Sequence, residues 1–415
     1  MASVQQAIVR APCCSAGSPL RRAGVAVQSV RRTKNQKETK VARPLDGLLV
    51  IALEQAVAAP MASRRLADAG ARVIKLERPE GDFARGYDRA ANGESSYFVW
   101  LNRGKESVTV DLGKPDDRRL FEALLAKADV FIQNLKPGAL DRLGYPIASL
   151  RERFPRLIAC SISGYGETGP YADRKAYDLL VQAESGLASV TGGPEAPSRV
   201  GVSVVDVATG MNAYEAILEA VIARGRTGSG ADIRVSMFDS MAEWMTVPLL
   251  HGESGKPPQR VGLSHPSVAP YGVFLSAEEA PILISIQNDR EWAVFARAIL
   301  GDAALAEDPR FATNVARVSN RVATDGLVAA AFRRTRLPEL VEKLAVADIA
   351  FGLVNDVMGL ARHPHLRRVT VDTPSGRVAL PAPAARVVGQ DPHFGPVPAR
   401  GAHTSSVSAE FVGSC

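Results

Sequence analysis

The chain has 415 residues, of which 46% are hydrophobic and 23% charged, which indicates a globular protein with more than one packed unit, because single cores stop growing near ~250–300 residues. No run approaches the ~20 uncharged apolar residues of a membrane span. The net charge of +6 divides into +8 for residues 1–43 and −2 for the rest, so the body of the chain lacks the broad basic surface typical of nucleic-acid binding.

From Pro44 onwards, short apolar runs alternate with segments of helical periodicity. Strands are expected at residues 48–53, 73–77, 107–111, 129–133 and 157–163, and helices at 61–69 and 116–127. Strands that alternate with helices predict an α/β fold, with a mostly parallel sheet covered on both faces. The ligand site of such a sheet usually lies outside the carboxyl ends of its strands.

The later part of the chain differs in composition and in the order of its expected elements. Elements expected there are a helix at 206–223, a strand at 232–236, a Gly-, Pro-, Ser- and His-rich stretch at 252–271, a strand at 281–285, a helix at 291–300 and paired strands within 369–388. The resulting division is an N-terminal extension at 1–43, a large domain at 44–244, a smaller domain at 245–350 and a C-terminal return to the large domain at 351–415.

Residues 1–43 contain nine basic residues and one acidic residue. This composition is typical of an organelle transit peptide, and a disordered extension is the alternative. The expected location is the cytoplasm, or the mitochondrial matrix if the segment is a transit peptide. Cys13, Cys14, Cys160 and Cys415 form no disulfide framework and have no zinc-ligand spacing with histidine, so neither a disulfide scaffold nor a metal is expected.

Residues Gly164 to Gly169 match G-x-G-x-x-G and follow an expected strand. Dinucleotide binding would require a helix to begin here, with a pyrophosphate on its N-terminus. Pro170 and the residues after it favour a loop instead, in which glycines let a ligand approach the backbone. The sequence contains neither a nucleophile elbow nor a P-loop, and all six histidines lie at or after His251.

Asp206 follows an apolar run at the expected start of a helix. A carboxylate at that position is a good N-cap, because it can accept the free N–H groups of the first turn. The same donors would keep it ionised and therefore nucleophilic. The local sequence leaves both interpretations open.

Several separate motifs, in the same order, resemble the CaiB/BaiF, or family III, CoA-transferases. They lie at residues 44–47, 58–60, 66–79, 101–107, 133–138, 163–166, 177–178, 206–210 and 352–355, so the resemblance covers roughly residues 44–400. It implies a Rossmann-like large domain, a smaller second domain, and two chains interlocked like rings in an obligate homodimer. It also implies an enzyme that takes CoA thioesters as substrates and holds no tightly bound cofactor.

The resemblance also assigns roles to residues. Asp206 matches the nucleophile of the family. Arg78 lies where a family arginine meets the CoA phosphates, a role that suits a guanidinium because it binds phosphate oxygens in pairs. Further implied contacts with CoA are Asn134, Leu135, Arg142, Lys175 and Asp178. Implied neighbours of the acyl group are Val57, Gly164, Gly166 and His265.

Two departures from the family's oxalate-using type bear on the substrate. Val57 stands where the formyl-CoA:oxalate enzyme has a glutamine, and residues 252–271 lack that enzyme's run of glycines. The segment around His265 resembles instead the succinate–hydroxymethylglutarate CoA-transferase type. We therefore expect succinyl-CoA as donor and a short dicarboxylic acid as acceptor, with itaconate, mesaconate, citramalate and hydroxymethylglutarate-like acids all open.

The implied chemistry proceeds through an acyl-aspartyl anhydride and an aspartyl-CoA thioester at Asp206. It needs N–H donors for the oxyanions, and Gly164, Gly166 and Gly169 are their expected source. One alternative is an α-methylacyl-CoA racemase, which needs two bases. Asp178 matches the aspartate of that pair, but no histidine precedes His251. A non-catalytic CoA-binding protein is the other alternative, and it would need no nucleophile.

Overall fold

The structure is a computed structural model that describes residues 43–389 and 394–413. The predicted extension lies outside the described residues except for Arg43, and so do Cys13, Cys14 and Cys415. Among the described helices, none is both long and apolar enough to cross a membrane.

A six-stranded parallel sheet forms the centre of the fold. Its strands are β1 (Leu49–Leu53), β2 (Arg72–Glu77), β3 (Lys105–Thr109), β4 (Val130–Gln133), β5 (Ile158–Ser163) and β6 (Asp232–Ser236). They lie in the order β3-β2-β1-β4-β5-β6, and all neighbours are parallel. This confirms the predicted α/β class. The strand order reverses between β1 and β4, which creates a crevice at their carboxyl ends.

Helices cover both faces of this sheet. They are α1 (Ala58–Asp68), α2 (Ser96–Asn102), α3 (Pro115–Lys127), α4 (Ala139–Arg142), α5 (Ile147–Arg153), α6 (Asp178–Glu184), α7 (Leu187–Val190), α8 (Val204–Thr227), α9 (Met237–Trp244) and α10 (Thr246–Glu253). Val50 and Ala52 point to a core formed with α1 and α8. Ile51 and Leu53 point to the opposite core, formed with α3 and α5. The period of two within β1 therefore supplies both cores.

A second, antiparallel sheet follows. It contains β7 (Tyr271–Leu275), β8 (Pro281–Ser285) and β9 (Ala350–Leu353), and it packs with α11 (Asp289–Phe295), α12 (Asn314–Ser319), α13 (Arg321–Phe332) and α14 (Leu337–Val346). Its core is built on large side chains such as Trp292, Phe295 and Phe332. The division into domains at residues 244 and 350 stays a prediction.

The C-terminal part of the described chain contains α15 (Val357–Ala361), the hairpin of β10 (Arg368–Thr373) and β11 (Gly376–Pro381), and α16 (Thr404–Val412). The hydroxyl of Thr404 accepts the backbone N–H of Thr109 at 2.9 Å. Val407 of α16 is fully buried in the core that α3 shares with the parallel sheet. This segment therefore covers one face of that sheet.

Several boundaries differ from those predicted. α1 begins at Ala58 rather than residue 61, because Pro60 in its first turn needs no N–H acceptor. The strand predicted at 107–111 is β3, which runs two residues earlier. The helix predicted at 206–223 begins at Val204, and the one predicted at 291–300 is α11 followed by a turn of π-helix.

Candidate active site

Asp206 is the third residue of α8 and not its N-cap, so of the two interpretations of Asp206 the one as a cap of this helix is wrong. Its own backbone N–H and that of Val205 both point to Oδ1 of Asp178, at 3.4 and 2.8 Å. The cap is thus supplied by Asp178, the first residue of α6, a segment distant in sequence. Capping by a side chain from elsewhere satisfies the orphan donors of the first turn equally well, and it leaves the Asp206 carboxylate free of that role.

The pKa of the Asp206 carboxyl is raised from 3.8 to about 7, first by burial and then by the negative charge of Asp178. The expectation that local N–H donors keep Asp206 ionised is therefore wrong, since Asp178 takes those donors. With that pKa, Asp206 is partly protonated and partly ionised near neutral pH.

Asp178 is itself held in place. Its Oδ2 accepts a hydrogen bond from Nε2 of the fully buried Gln182 at 2.7 Å, and Oε1 of Gln182 accepts the backbone N–H of Val200 at 2.8 Å. The Asp178 carboxylate, whose charge raises the pKa of Asp206, is therefore fixed in position.

The first turn of α1 lies in direct contact with the second turn of α8. A methyl group at Gly210 would lie 2.5 Å from the carbonyl oxygen of Ala58 and 2.6 Å from Cβ of Met61, so only glycine permits this approach. Val57, the residue before α1, is buried in a small apolar cluster that includes Val207, the neighbour of Asp206. Val57 thus packs against the residue that follows Asp206, and the prediction that Val57 and Asp206 share one site stays a prediction.

Aromatic side chains line the same region. Tyr97 and Ser203 share a hydrogen bond between their hydroxyls at 3.1 Å, and the ring of Tyr87 packs edge-on against Tyr97 with 5.5 Å between centroids. Burial, together with the charges of Asp82 and Asp206, raises the pKa of Tyr87 to about 12. Sequence reasoning did not predict that Tyr87 and Tyr97 line this region. The signal was available, because residues 83–100 contain five aromatic side chains.

The glycine-rich segment forms a loop, as predicted, and the next helix begins only at Asp178. A methyl group at Gly164 would lie 2.1 Å from Cβ of Ala176, so this glycine allows the loop to fold back against the strand end. Gly166 adopts φ +88°, and its N–H donates to Oγ of Ser163 at 3.0 Å. The Gly166 N–H therefore already has an acceptor, whereas the sequence predicted that it would be free to donate to an oxyanion.

Two of the residues implied to bind CoA share a cavity. Leu135 and Arg142 line a cavity of about 550 Å³ beside the carboxyl ends of β4 and β5, together with Ser163 and Arg234. Asn134 does something else in this structure: its amide bonds both backbone groups of Gln55, each at 2.9 Å.

Three other predicted residues make no hydrogen bond or ion pair with Asp206 among the described residues. Arg78 and Lys175 are exposed. His265 stacks on Tyr271, with 5.3 Å between ring centroids, and its Nδ1 accepts the N–H of Ser267 at 3.1 Å. In the described part of the chain, no hydrogen bond or ion pair links any of the three to Asp206.

Comparisons with known proteins identify the family of the chain. A sequence model described as CoA-transferase family III matches residues 45–404. An acetyl-CoA:oxalate CoA-transferase from Acetobacter aceti is 38% identical over 85% of this chain and 92% of its own length. A succinate–glutarate CoA-transferase from Agrobacterium fabrum is 35% identical over 89% and 96%.

Solved structures give the same result. The crystal structure of a CaiB/BaiF family protein from Brucella suis is 36% identical, covers 89% of this chain and 100% of that chain, and superposes with a TM-score of 0.77. The predicted resemblance to the CaiB/BaiF, or family III, CoA-transferases is thereby confirmed. The chain belongs to CoA-transferase family III and is an enzyme that transfers CoA.

Proposed function

We propose that this enzyme moves CoA from succinyl-CoA to a short dicarboxylic acid through covalent intermediates on Asp206. The observation that carries the proposal is the placement of Asp206: a half-buried carboxylate without a capping role, in a helix turn that Asp178 caps and that packs through Val207 against Val57. The named substrates of the relative from Agrobacterium fabrum, succinate and glutarate, support this substrate class.

In the first half of the proposed reaction, an oxygen of ionised Asp206 bonds to the thioester carbonyl carbon, and the C–S bond breaks with its electron pair going to CoA. The thiolate then adds to the aspartyl carbonyl, and the donor acid leaves as a carboxylate. In the second half, the acceptor carboxylate attacks the aspartyl thioester and expels the thiolate. The thiolate attacks the new acyl carbonyl, and Asp206 is released as a carboxylate.

The environment of Asp206 suits this chemistry in two ways. Its pKa of about 7 makes the ionised form more basic than an ordinary aspartate, and nucleophilicity rises with basicity. The apolar cluster around Val57 and Val207, with Tyr97 and Trp100 at its edge, limits water near the anhydride, which water would hydrolyse.

For CoA itself, we propose the cavity that Leu135 and Arg142 line. Arg142 is exposed at its rim and is suited to phosphate oxygens. Arg78 and Lys175 are exposed cations without an ion-pair partner among the described residues, so they are available for the remaining phosphates. Arg142→Ala is expected to weaken CoA binding, measured by calorimetry, with little change in the unfolding temperature.

The test of the nucleophile is Asp206→Ala. We expect transfer of CoA to be abolished while the affinity for CoA stays within about threefold of the wild type, because the residue acts on the acyl carbon and not on the nucleotide. Trapping of the working wild type with hydroxylamine or borohydride, followed by mass spectrometry, should place the modification on residue 206. Retained turnover in the variant, or a label elsewhere, would refute the assignment.

The substrate is tested with a panel of donors and acceptors. Succinyl-CoA with glutarate, mesaconate, citramalate and hydroxymethylglutarate forms one arm, and acetyl-CoA with oxalate forms the other. Oxalate is the second candidate because the relative from Acetobacter aceti is named for it. Val57 favours the succinyl-CoA arm. The two carboxylates of oxalate are directly bonded, so the second one would lie beside Val57, and an apolar side chain offers it no hydrogen bond.

We also propose that the enzyme works as an interlocked homodimer. The exposed face of α9 and α10 is strongly apolar: Trp244, Val247, Leu249 and Leu250 are each more than half exposed in the single chain. Apolar patches of this kind mark interaction sites. Analytical ultracentrifugation should show twice the chain mass of 44.1 kDa, and Leu250→Glu should shift the population towards monomer; a monomeric wild type would refute the proposal.

A further inference from the structure

A cluster of buried charges lies beneath the residues that approach Asp206. Its members balance, with three carboxylates and three cations: Glu54, Glu77, Asp82, Lys75, Lys105 and Arg85. The side chains of Glu54, Lys75, Asp82 and Lys105 are all 0% exposed. Sequence reasoning did not assign these residues, although Lys75 inside the apolar run of β2 and Glu54 directly after β1 are a signal.

Stability alone does not account for such a cluster. Buried ion pairs stabilise a fold no more than apolar side chains of the same volume, because removing the charges from water costs about as much as their attraction returns. Their distinctive effect is to hold hydrogen-bonded groups in one geometry. The question is therefore which groups this cluster holds.

Asp82 holds two backbone segments at once. Its Oδ2 pairs with Nζ of Lys75 at 2.8 Å, while Oδ1 accepts the N–H of Ala56 at 3.1 Å and that of Ala84 at 2.9 Å. Ala56 belongs to the turn between β1 and α1, and Ala84 to a turn of 3₁₀-helix that leads to Tyr87. One carboxylate thus joins two segments that border the Asp206 site.

The turn at Ala56 needs such support. Ala56 has φ +64°, a left-handed conformation that costs about 1 kcal/mol or more for an alanine. The residue before it, Gln55, is held by Asn134 through both of its backbone groups. The residue after it, Val57, precedes the first turn of α1, whose leading N–H groups have no acceptor within the helix.

We propose that Asp82 is a positioning residue for CoA transfer: through Ala56 it fixes the turn that places Val57 and the start of α1 beside Asp206. This inference rests on the proposed role of Asp206. Lys75 offsets the buried negative charge of Asp82 through Oδ2, while Oδ1 makes the two backbone contacts.

The test compares two double variants that both remove the buried Lys75–Asp82 pair. In Lys75→Met/Asp82→Asn, the side-chain amide oxygen at position 82 can still accept the N–H of Ala56. In Lys75→Met/Asp82→Ala, position 82 has no acceptor for that N–H. We expect the first to keep kcat within about threefold of the wild type and the second to lose about 100-fold, because a displacement near 1 Å costs that much. CoA affinity should be unchanged in both.

Amide hydrogen exchange at residues 55–57 should accelerate about tenfold or more only in the alanine variant. Asp68→Ala is the matched control: it removes a largely buried carboxylate bound to Arg64 and Arg103 at the far end of α1, about 15 Å from Ala58. Equal kcat values in the two double variants, or an equal loss in the control, would overturn the proposal. A wild type without CoA transfer would refute the proposed function, and the exchange rates would still decide whether Asp82 holds the turn.

Discussion

Asp206 should make the folded enzyme less stable at neutral and alkaline pH than it would be without the charge. Its carboxyl has a pKa of about 7 in the folded chain and 3.8 as an ordinary aspartate. Below pH 3.8 the Asp206 carboxyl is protonated in both the folded and the unfolded chain, so it does not reduce the free energy of unfolding. Between pH 3.8 and 7 only the unfolded chain ionises, so stability falls as pH rises, and above pH 7 the full penalty remains.

The two pKa values correspond to a penalty of about 4 kcal/mol. Partial solvent access to Asp206 screens the charges and reduces this figure. We therefore expect Asp206→Asn, which has the same shape without the charge, to raise the free energy of unfolding by roughly 2–4 kcal/mol at pH 8. Near pH 4 the gain should almost vanish.

The assay is denaturant unfolding of both proteins at pH 4.5, 6 and 8. Asp173→Asn is the control, because it neutralises a carboxylate that is 92% exposed and whose pair with Lys136 contributes little. A gain that is independent of pH, or a variant less stable than the wild type at pH 8, would show that Asp206 is not strained by its surroundings.

Three further results are expected. Asp178→Asn should move the acid limb of the kcat/KM profile to lower pH, because it removes the negative charge that helps to raise the pKa of Asp206. The shift should be roughly one pH unit, since burial is the larger cause of the raised pKa and is unchanged in the variant. Glu184→Gln, at the other end of α6, should leave the acid limb in place. Gly164→Ala should destabilise the chain by roughly 1–3 kcal/mol through its clash with Ala176, and Ala176→Gly in the same chain should restore the unfolding temperature. Gly210→Ala should lower kcat as well as stability, since the added methyl group separates the start of α1 from α8; unchanged kcat would contradict the contact.

Much of the fold could be predicted because local hydrophobic periodicity indicates the strands of the parallel sheet and the helices between them. The central strands β1, β4 and β5 are short, mostly apolar runs, as in Leu49–Leu53, and each is followed by turn residues and a helical segment. Periodicity depends on neighbours in the chain, so it survives without a structure. The boundaries were less accurate, as at Ala58 and Val204, because caps and proline placement depend on contacts from elsewhere.

The candidate nucleophile could also be found by its motif, but its environment could not. Asp178 lies 28 residues before Asp206, and Asp82 lies 26 residues after Ala56. Nothing in the local sequence indicates that the first takes over the cap of α8 or that the second holds a left-handed alanine. Which carboxylate is ionised, which caps a helix and which supports a turn depends on burial and on distances of about 3 Å, and these exist only once separate segments have packed together.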